Sequence, residues 1–184
     1  RWRDFLEQHS LQHRRVFAIG FNPHWRKALA RFTQGSDITH VRSADHVPEG
    51  APALIWGQRR VEIQHKETVL VRIEDGFLRS VGLGAEFARP LSWVADFQHL
   101  YFDATGPSRL ENLLNEQSVT EEEKSRASTL IRDITAARLS KYNCQSASWA
   151  RRGKEHVILV PGQVETDASI AFGAPGIKTN MELL

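Results

Sequence analysis

Only one cysteine, Cys144, stands in this chain of 184 residues. It excludes an internal disulfide and a cysteine-based zinc site, and it fits a reducing, cytosolic compartment. Long apolar runs are also missing. No stretch approaches the roughly 18 residues that a membrane-spanning helix needs. The start, Arg1-Trp2-Arg3-Asp4, is charged and leads into no apolar core, so no signal peptide is read there. The chain lacks an initiating Met and stops at Asn180-Met181-Glu182-Leu183-Leu184, from which we expect a piece of a longer protein. Excess charge of one sign is scarce. The 24 Lys+Arg and 22 Asp+Glu leave a formal net charge of +2, too little to argue for nucleic acid as a partner. No internal repeat is visible.

What is present is an ordinary globular composition, with 41% apolar and 25% charged residues. The length predicts one domain and a fraction of another. Val16-Phe17-Ala18-Ile19-Gly20-Phe21 is a short continuous apolar run, the pattern of a buried parallel strand. Asn22 and Pro23 then suit a cap and a first helical position, and residues 24–32 continue as a helix. Further strands are expected over 38–43, 53–57, 68–73 and 99–103, and a short helix over 107–115. This alternation predicts an α/β fold with a parallel sheet. A long helix is expected over 118–142, and Ser118-Val119-Thr120-Glu121 and Thr120-Glu121-Glu122-Glu123 both match a capping box. Its apolar face, Ala127, Leu130, Ile131, Ile134 and Ala137, predicts packing on the domain. His156-Val157-Ile158-Leu159-Val160 reads as a new strand, Pro161-Gly162-Gln163 as a turn, and 164–173 as a helix.

In open α/β sheets, ligands sit beyond the carboxyl ends of the strands. Three such ends carry polar groups: Gly20 with Asn22, Glu74-Asp75-Gly76 with Arg79, and Gly162-Gln163 with Glu165. The second is the most informative. One carboxylate beside an arginine can form an ion pair, or act as a nucleophile or general base. Successive strand residues point to opposite faces, so Glu74 and Asp75 are not expected to share one site. Gly76, Gly82 and Gly84 permit close backbone approach. Metal binding has little support. His9 and His13 share one helix face but lack a third ligand, and the other histidines are scattered. No serine elbow is present, and Cys144 lacks a reactive signature. Of five tryptophans, one is a candidate sugar-stacking platform. Paired arginines at 14–15, 59–60 and 151–152 are candidates for contact with anionic lipid.

Several segments together resemble the bacterial capsule polysaccharide proteins of the KpsC/LipB type. They are Glu74 to Gly84, Pro90-Leu91-Ser92 with Asp96, and Tyr101 to Thr105 with Pro107 to Glu111. Ser140 to Asn143, Val160 to Glu165 and Asp167 to Ile170 follow in the same order. The resemblance runs from about Val16 to Ile177. It implies a retaining β-Kdo glycosyltransferase that takes Kdo from CMP-Kdo and builds a Kdo linker on a phosphatidylglycerol-type lipid. The setting it implies is the cytoplasmic face of the inner membrane, with peripheral association and other capsule biosynthesis or export proteins as partners.

The fold it implies is GT-B, with a Rossmann-like parallel-sheet domain and the start of a second. We expect an N-terminal, acceptor-side domain over 1–117, a helical connector over 118–155 and the nucleotide-sugar domain starting at 156. Asp75 takes the role of carboxylate nucleophile, with Glu74 as the fallback or acid/base group. Arg79 would face anionic Kdo or hold the carboxylate. Gly20, Asn22, Gly162, Gln163 and Glu165 are expected to bind substrate, with a helix N-terminus after Gly162 to receive a phosphate. No metal or other cofactor is expected. A nucleotide-binding lysine–proline–histidine–proline segment is absent, so residues 1–184 alone are expected to give no robust turnover. The competing expectation is a non-catalytic sugar- or lipid-binding scaffold module of capsule assembly. A nucleotide-sugar epimerase of similar fold is a weaker one.

Overall fold

Val16-Phe17-Ala18-Ile19 has no polar side, and none of it reaches solvent: β1 (Arg15–Ile19) is buried from its second residue to its last. The chain then turns through Gly20 at φ +64° into a 3₁₀ turn, Pro23–Trp25, and helix α2 (Arg26–Phe32), which follows the N-terminal α1 (Trp2–Gln8). The Asn22 side chain accepts the His24 amide at 3.0 Å, the cap expected of it. Strands β2 (Asp37–Val41), β3 (Ala53–Trp56), β4 (Leu70–Asp75) and β5 (Trp93–Asp96) complete one sheet in the order β2-β1-β3-β4-β5. This computed structural model describes residues 2–8, 15–62, 67–144, 150, 153–154 and 156–184.

Alternation along the strands sorts the core into two layers. Val16, Ala18, Leu54, Val71 and Ile73 pack on one face with Leu29 of α2. Phe17, Ile19 and Ala53 pack on the other, covered by Ala44, Val47 and Ala51. Burying each of these large apolar side chains contributes about 1.5–3 kcal/mol. The first four strands are parallel, which leaves all their carboxyl ends on one edge.

The fifth strand departs from expectation. It is Trp93–Asp96 rather than 99–103, and it runs antiparallel to β4, with Asp75 opposite Trp93. Residues 99–103 form a turn instead. Asp103 organises that turn: Thr105 donates its amide and hydroxyl to Asp103, and Gln58 and His99 bond to it as well. Those bonds outweigh the effect of burial and hold the Asp103 carboxyl below its ordinary pKa.

After α3 (Arg109–Glu116) comes α4 (Glu121–Ala136), begun by the expected capping box between Thr120 and Glu123. Packing on the domain is not found. No residue of α4 is buried, and Ile131 is 66% exposed. Residues 156–160 also differ from expectation. They form no strand, with no strand beside them among the described residues, and Leu159 is 86% exposed. The chain ends in α5 (Ala168–Gly173) and α6 (Asn180–Leu183). The Phe172 carbonyl accepts the Ala104 amide at 3.0 Å, which lays α5 against the turn after β5.

Candidate active site

Strand β4 ends in two acids, and the second, Asp75, meets a third charge four residues on. Arg79 is 1% exposed, and its Nε donates to Asp75 Oδ1 at 2.9 Å. Its Nη1 donates to the Ala88 carbonyl at 2.6 Å and the Ser80 hydroxyl at 3.0 Å. The guanidinium carbon lies 5.3 Å from the Trp25 ring centre, a cation–π contact. The far side of the pair is backbone: a β-carbon on Gly84 would come within 3.2 Å of Arg79 and 3.6 Å of Asp75. Arg79 lines the cleft while almost wholly buried, and it holds Asp75 in place. The other Asp75 oxygen, Oδ2, has no hydrogen-bond partner among the described residues, and the side chain is 15% exposed.

Glu74 and Asp75 line the same cleft, against the expectation from strand alternation. A local bond accounts for this. Glu74 Oε1 accepts the Asp75 amide at 2.8 Å, so the side chain curls along the strand end instead of leaving on the opposite face. Burial, helped by the Asp75 charge, raises the Glu74 pKa, and the bond from the Asp75 amide and the Lys141 charge offset only part of that rise. The two carboxyls are therefore unlike: one is clamped by an arginine, and the other is desolvated.

The cleft has a volume of about 1160 Å³. One wall carries Glu74, Asp75, Trp25 and Trp56, and the other carries Gln163, Asp167 and Phe172. It is also lined by Tyr101 and Lys141, which lie in segments that carry the family resemblance but were given no role from sequence. The Tyr101 hydroxyl donates to the Asp75 carbonyl at 3.2 Å and accepts from Lys141 Nζ at 3.4 Å. Burial raises the Tyr101 pKa. Burial alone would lower that of Lys141, but Tyr101, Tyr142 and Asp75 together hold it above its ordinary value. The segment around Lys141 is itself zipped to the arginine loop. The Lys141 carbonyl accepts the Arg79 and Ser80 amides, and the Tyr142 carbonyl accepts that of Gly82.

The remaining expected binding residues divide. Gln163 lines the cleft. Gly162 faces Asn180 instead, and Glu165 accepts the Asn180 amide at 2.7 Å, so both serve the start of α6. The helix start expected to receive a phosphate is filled by Asp167, which takes the Ser169 amide and hydroxyl at 2.8 and 2.6 Å. Those bonds lower the Asp167 pKa. Gly20 and Asn22 line a separate, adjoining pocket. No group of three or more metal-ligating side chains occurs among the described residues. His9, His13, His65, Arg14, Arg151 and Arg152 lie outside the described residues. Cys144 is exposed and unpaired with another cysteine. Among the described residues, no helix is long and apolar enough to cross a membrane.

Comparison with known proteins converges on one family. The family described as "Capsule polysaccharide biosynthesis protein" matches residues 54–150, more than half of the chain. The capsule polysaccharide modification protein LipA of Neisseria meningitidis serogroup A is 42% identical over 92% of this chain and 26% of its own length. The lipopolysaccharide-processing protein LpsZ of Rhizobium meliloti is 34% identical over 92% of this chain and 43% of its own length. Two solved structures of KpsC from Thermosulfurimonas dismutans also match. The one described as a beta Kdo 2,7 transferase has a TM-score of 0.71 and 31% identity, covering 91% of this chain and 54% of that one. The beta Kdo 2,4 transferase has a TM-score of 0.66 and 30% identity, covering 89% and 53%. The chain thus spans about a quarter of the LipA sequence and about half of either transferase structure.

Proposed function

The chain belongs to the capsule polysaccharide biosynthesis protein family, and from that premise we propose that its cleft is part of a retaining β-Kdo transferase site with Asp75 as nucleophile. The observation that carries this reading is the state of Asp75. One oxygen is fixed by a buried arginine, and the other has no hydrogen-bond partner among the described residues and belongs to a side chain lining a cleft of about 1160 Å³. A displacement needs a carboxylate held still with one oxygen to spare.

In the first step, Asp75 Oδ2 attacks the anomeric carbon of Kdo in CMP-Kdo. A carbon–oxygen bond forms to the carboxylate, the bond to the phosphate oxygen breaks, and CMP leaves with the electron pair. In the second step, a hydroxyl of a lipid-linked acceptor attacks the same carbon and releases Asp75. Two inversions give net retention. The acceptor proton passes to Glu74, whose raised pKa makes it the better base of the two acids. Trp25 and Trp56 offer apolar faces to the sugar ring, and Lys141 offers a cation to the Kdo carboxylate. The protein works at the cytoplasmic face of the inner membrane, with no metal or other cofactor in this scheme.

Transfer from CMP-Kdo by the intact protein, followed by chromatography of the lipid product, tests this. Asp75→Asn is expected to lower kcat by on the order of 10³-fold or more; its amide oxygen can still accept from Arg79, and circular dichroism checks that the fold is kept. Retained transfer in Asp75→Asn would turn the reading toward a scaffold module.

A further inference from the structure

Beside the cleft, a second pocket of about 510 Å³ opens over the carboxyl ends of β1 and β2. Three arginines line it from three different elements: Arg26 from α2, Arg42 from the end of β2, and Arg59 from the loop after β3. None of the three forms an ion pair with a carboxylate among the described residues. Arg59 is fixed, its Nη1 donating to the Gly20 carbonyl at 2.8 Å. His40 also lines the pocket, and its Nδ1 is buried without a hydrogen-bond partner among the described residues. Burial and the Arg26 charge lower the His40 pKa, so the ring is neutral and one nitrogen is free to accept or donate. The pocket adjoins the reversal point of the sheet, which lies between β1 and β3, and Arg59 reaches it from the loop after β3.

Three arginines lining one strand-end pocket, with no carboxylate partner among the described residues, make a receptor for an oxyanion. Arg59 borders both this pocket and the cleft of Asp75. We infer that Arg26, Arg42, Arg59 and His40 bind an anionic group of the acceptor, which then runs past Arg59 towards Asp75. The anion is a carboxylate of an acidic sugar or the phosphate of a lipid anchor. The acceptor assignment rests on the proposed transferase reading, whereas oxyanion binding does not.

Direct titration at physiological ionic strength tests the pocket without any need for turnover. Inorganic phosphate, glycerol phosphate and free Kdo are titrated into the protein by calorimetry, then into Arg26→Gln/Arg42→Gln. Both arginines are exposed, so the variant folds, and an unchanged thermal melt checks that. Saturable binding that weakens about tenfold or more in the variant supports the pocket. Preference for the phosphates assigns a lipid phosphate, and preference for Kdo assigns a sugar carboxylate. Absence of saturable binding, or binding equal in both proteins, overturns the inference. Binding of the expected kind by a protein that transfers no sugar would overturn the transferase reading and leave the oxyanion pocket standing.

Discussion

Arg79 and Asp75 depend on each other, and the sequence spacing alone conceals how closely. Arg79 lines the cleft at only 1% exposure, with its charge directed at one carboxylate and the Ala88 carbonyl. Removing it leaves a partly buried acid without its partner. Arg79→Met is expected to destabilise the fold by about 3 kcal/mol, measured by urea unfolding. Lysine in its place is no conservative exchange, since it lacks the fork that reaches Asp75, Ser80 and Ala88 at once. Glu74 makes a prediction in pH. Its folded pKa is raised, so the fold favours the protonated form. The stability this gives is full below the unfolded pKa and is lost as pH rises through the folded value. Glu74→Gln keeps the carbonyl acceptor for the Asp75 amide and removes the titration. Its stability relative to the parent is therefore expected to improve as pH rises from 4 to 7, by denaturant melts at each pH. A constant difference would contradict the assignment. Gly20 sits at φ +64°, and a β-carbon there would come within 2.9 Å of Arg59 Nη1. Gly20→Ala is expected to cost about 1–3 kcal/mol and to displace Arg59 from the basic pocket.

At the scale of elements, the first four strands were legible because buried parallel strands are written as short apolar runs between turn residues. The fifth was not. Tyr101 and Phe102 look like a strand, but Asp103 gathers Thr105, His99 and Gln58 into a turn, and a pattern of apolar residues does not register such bonds. The carboxylate pair was legible by its place at the end of β4. Its shared orientation was not, because it depends on one bond from Glu74 to the following amide. Tyr101 and Lys141 reach the cleft from distant positions, and no local spacing announces them. The long helix was found, and of its two candidate capping boxes the one between Thr120 and Glu123 forms. Its apolar face was read as packed, yet α4 has no buried residue. That exposure sets a test. Thr120→Ala removes the cap of a helix that the core does not support. It is expected to cost about 1 kcal/mol, seen as faster amide exchange across Glu121–Ala136 with the global melt unchanged.

For the whole molecule, the sheet builds one wall of the cleft and the segment around Gln163 to Phe172 builds the other. That second wall is thin. It rests on α5, where a β-carbon on Gly173 would collide with the Phe102 carbonyl oxygen. The apolar run before it, Val157 to Val160, is exposed throughout the described structure. Residues 1–184 alone are therefore expected to show no steady Kdo transfer, and steady product from them would count against the division of the site between two walls. The central claim is that Asp75 becomes covalently loaded. The most direct measurement is intact-mass spectrometry of the whole protein incubated with CMP-Kdo and no acceptor, followed by peptide mapping. A gain of one Kdo is expected on the peptide holding Glu74 and Asp75, absent in Asp75→Asn and discharged on adding acceptor. Active transfer with no adduct, or with an adduct on another peptide, would contradict it.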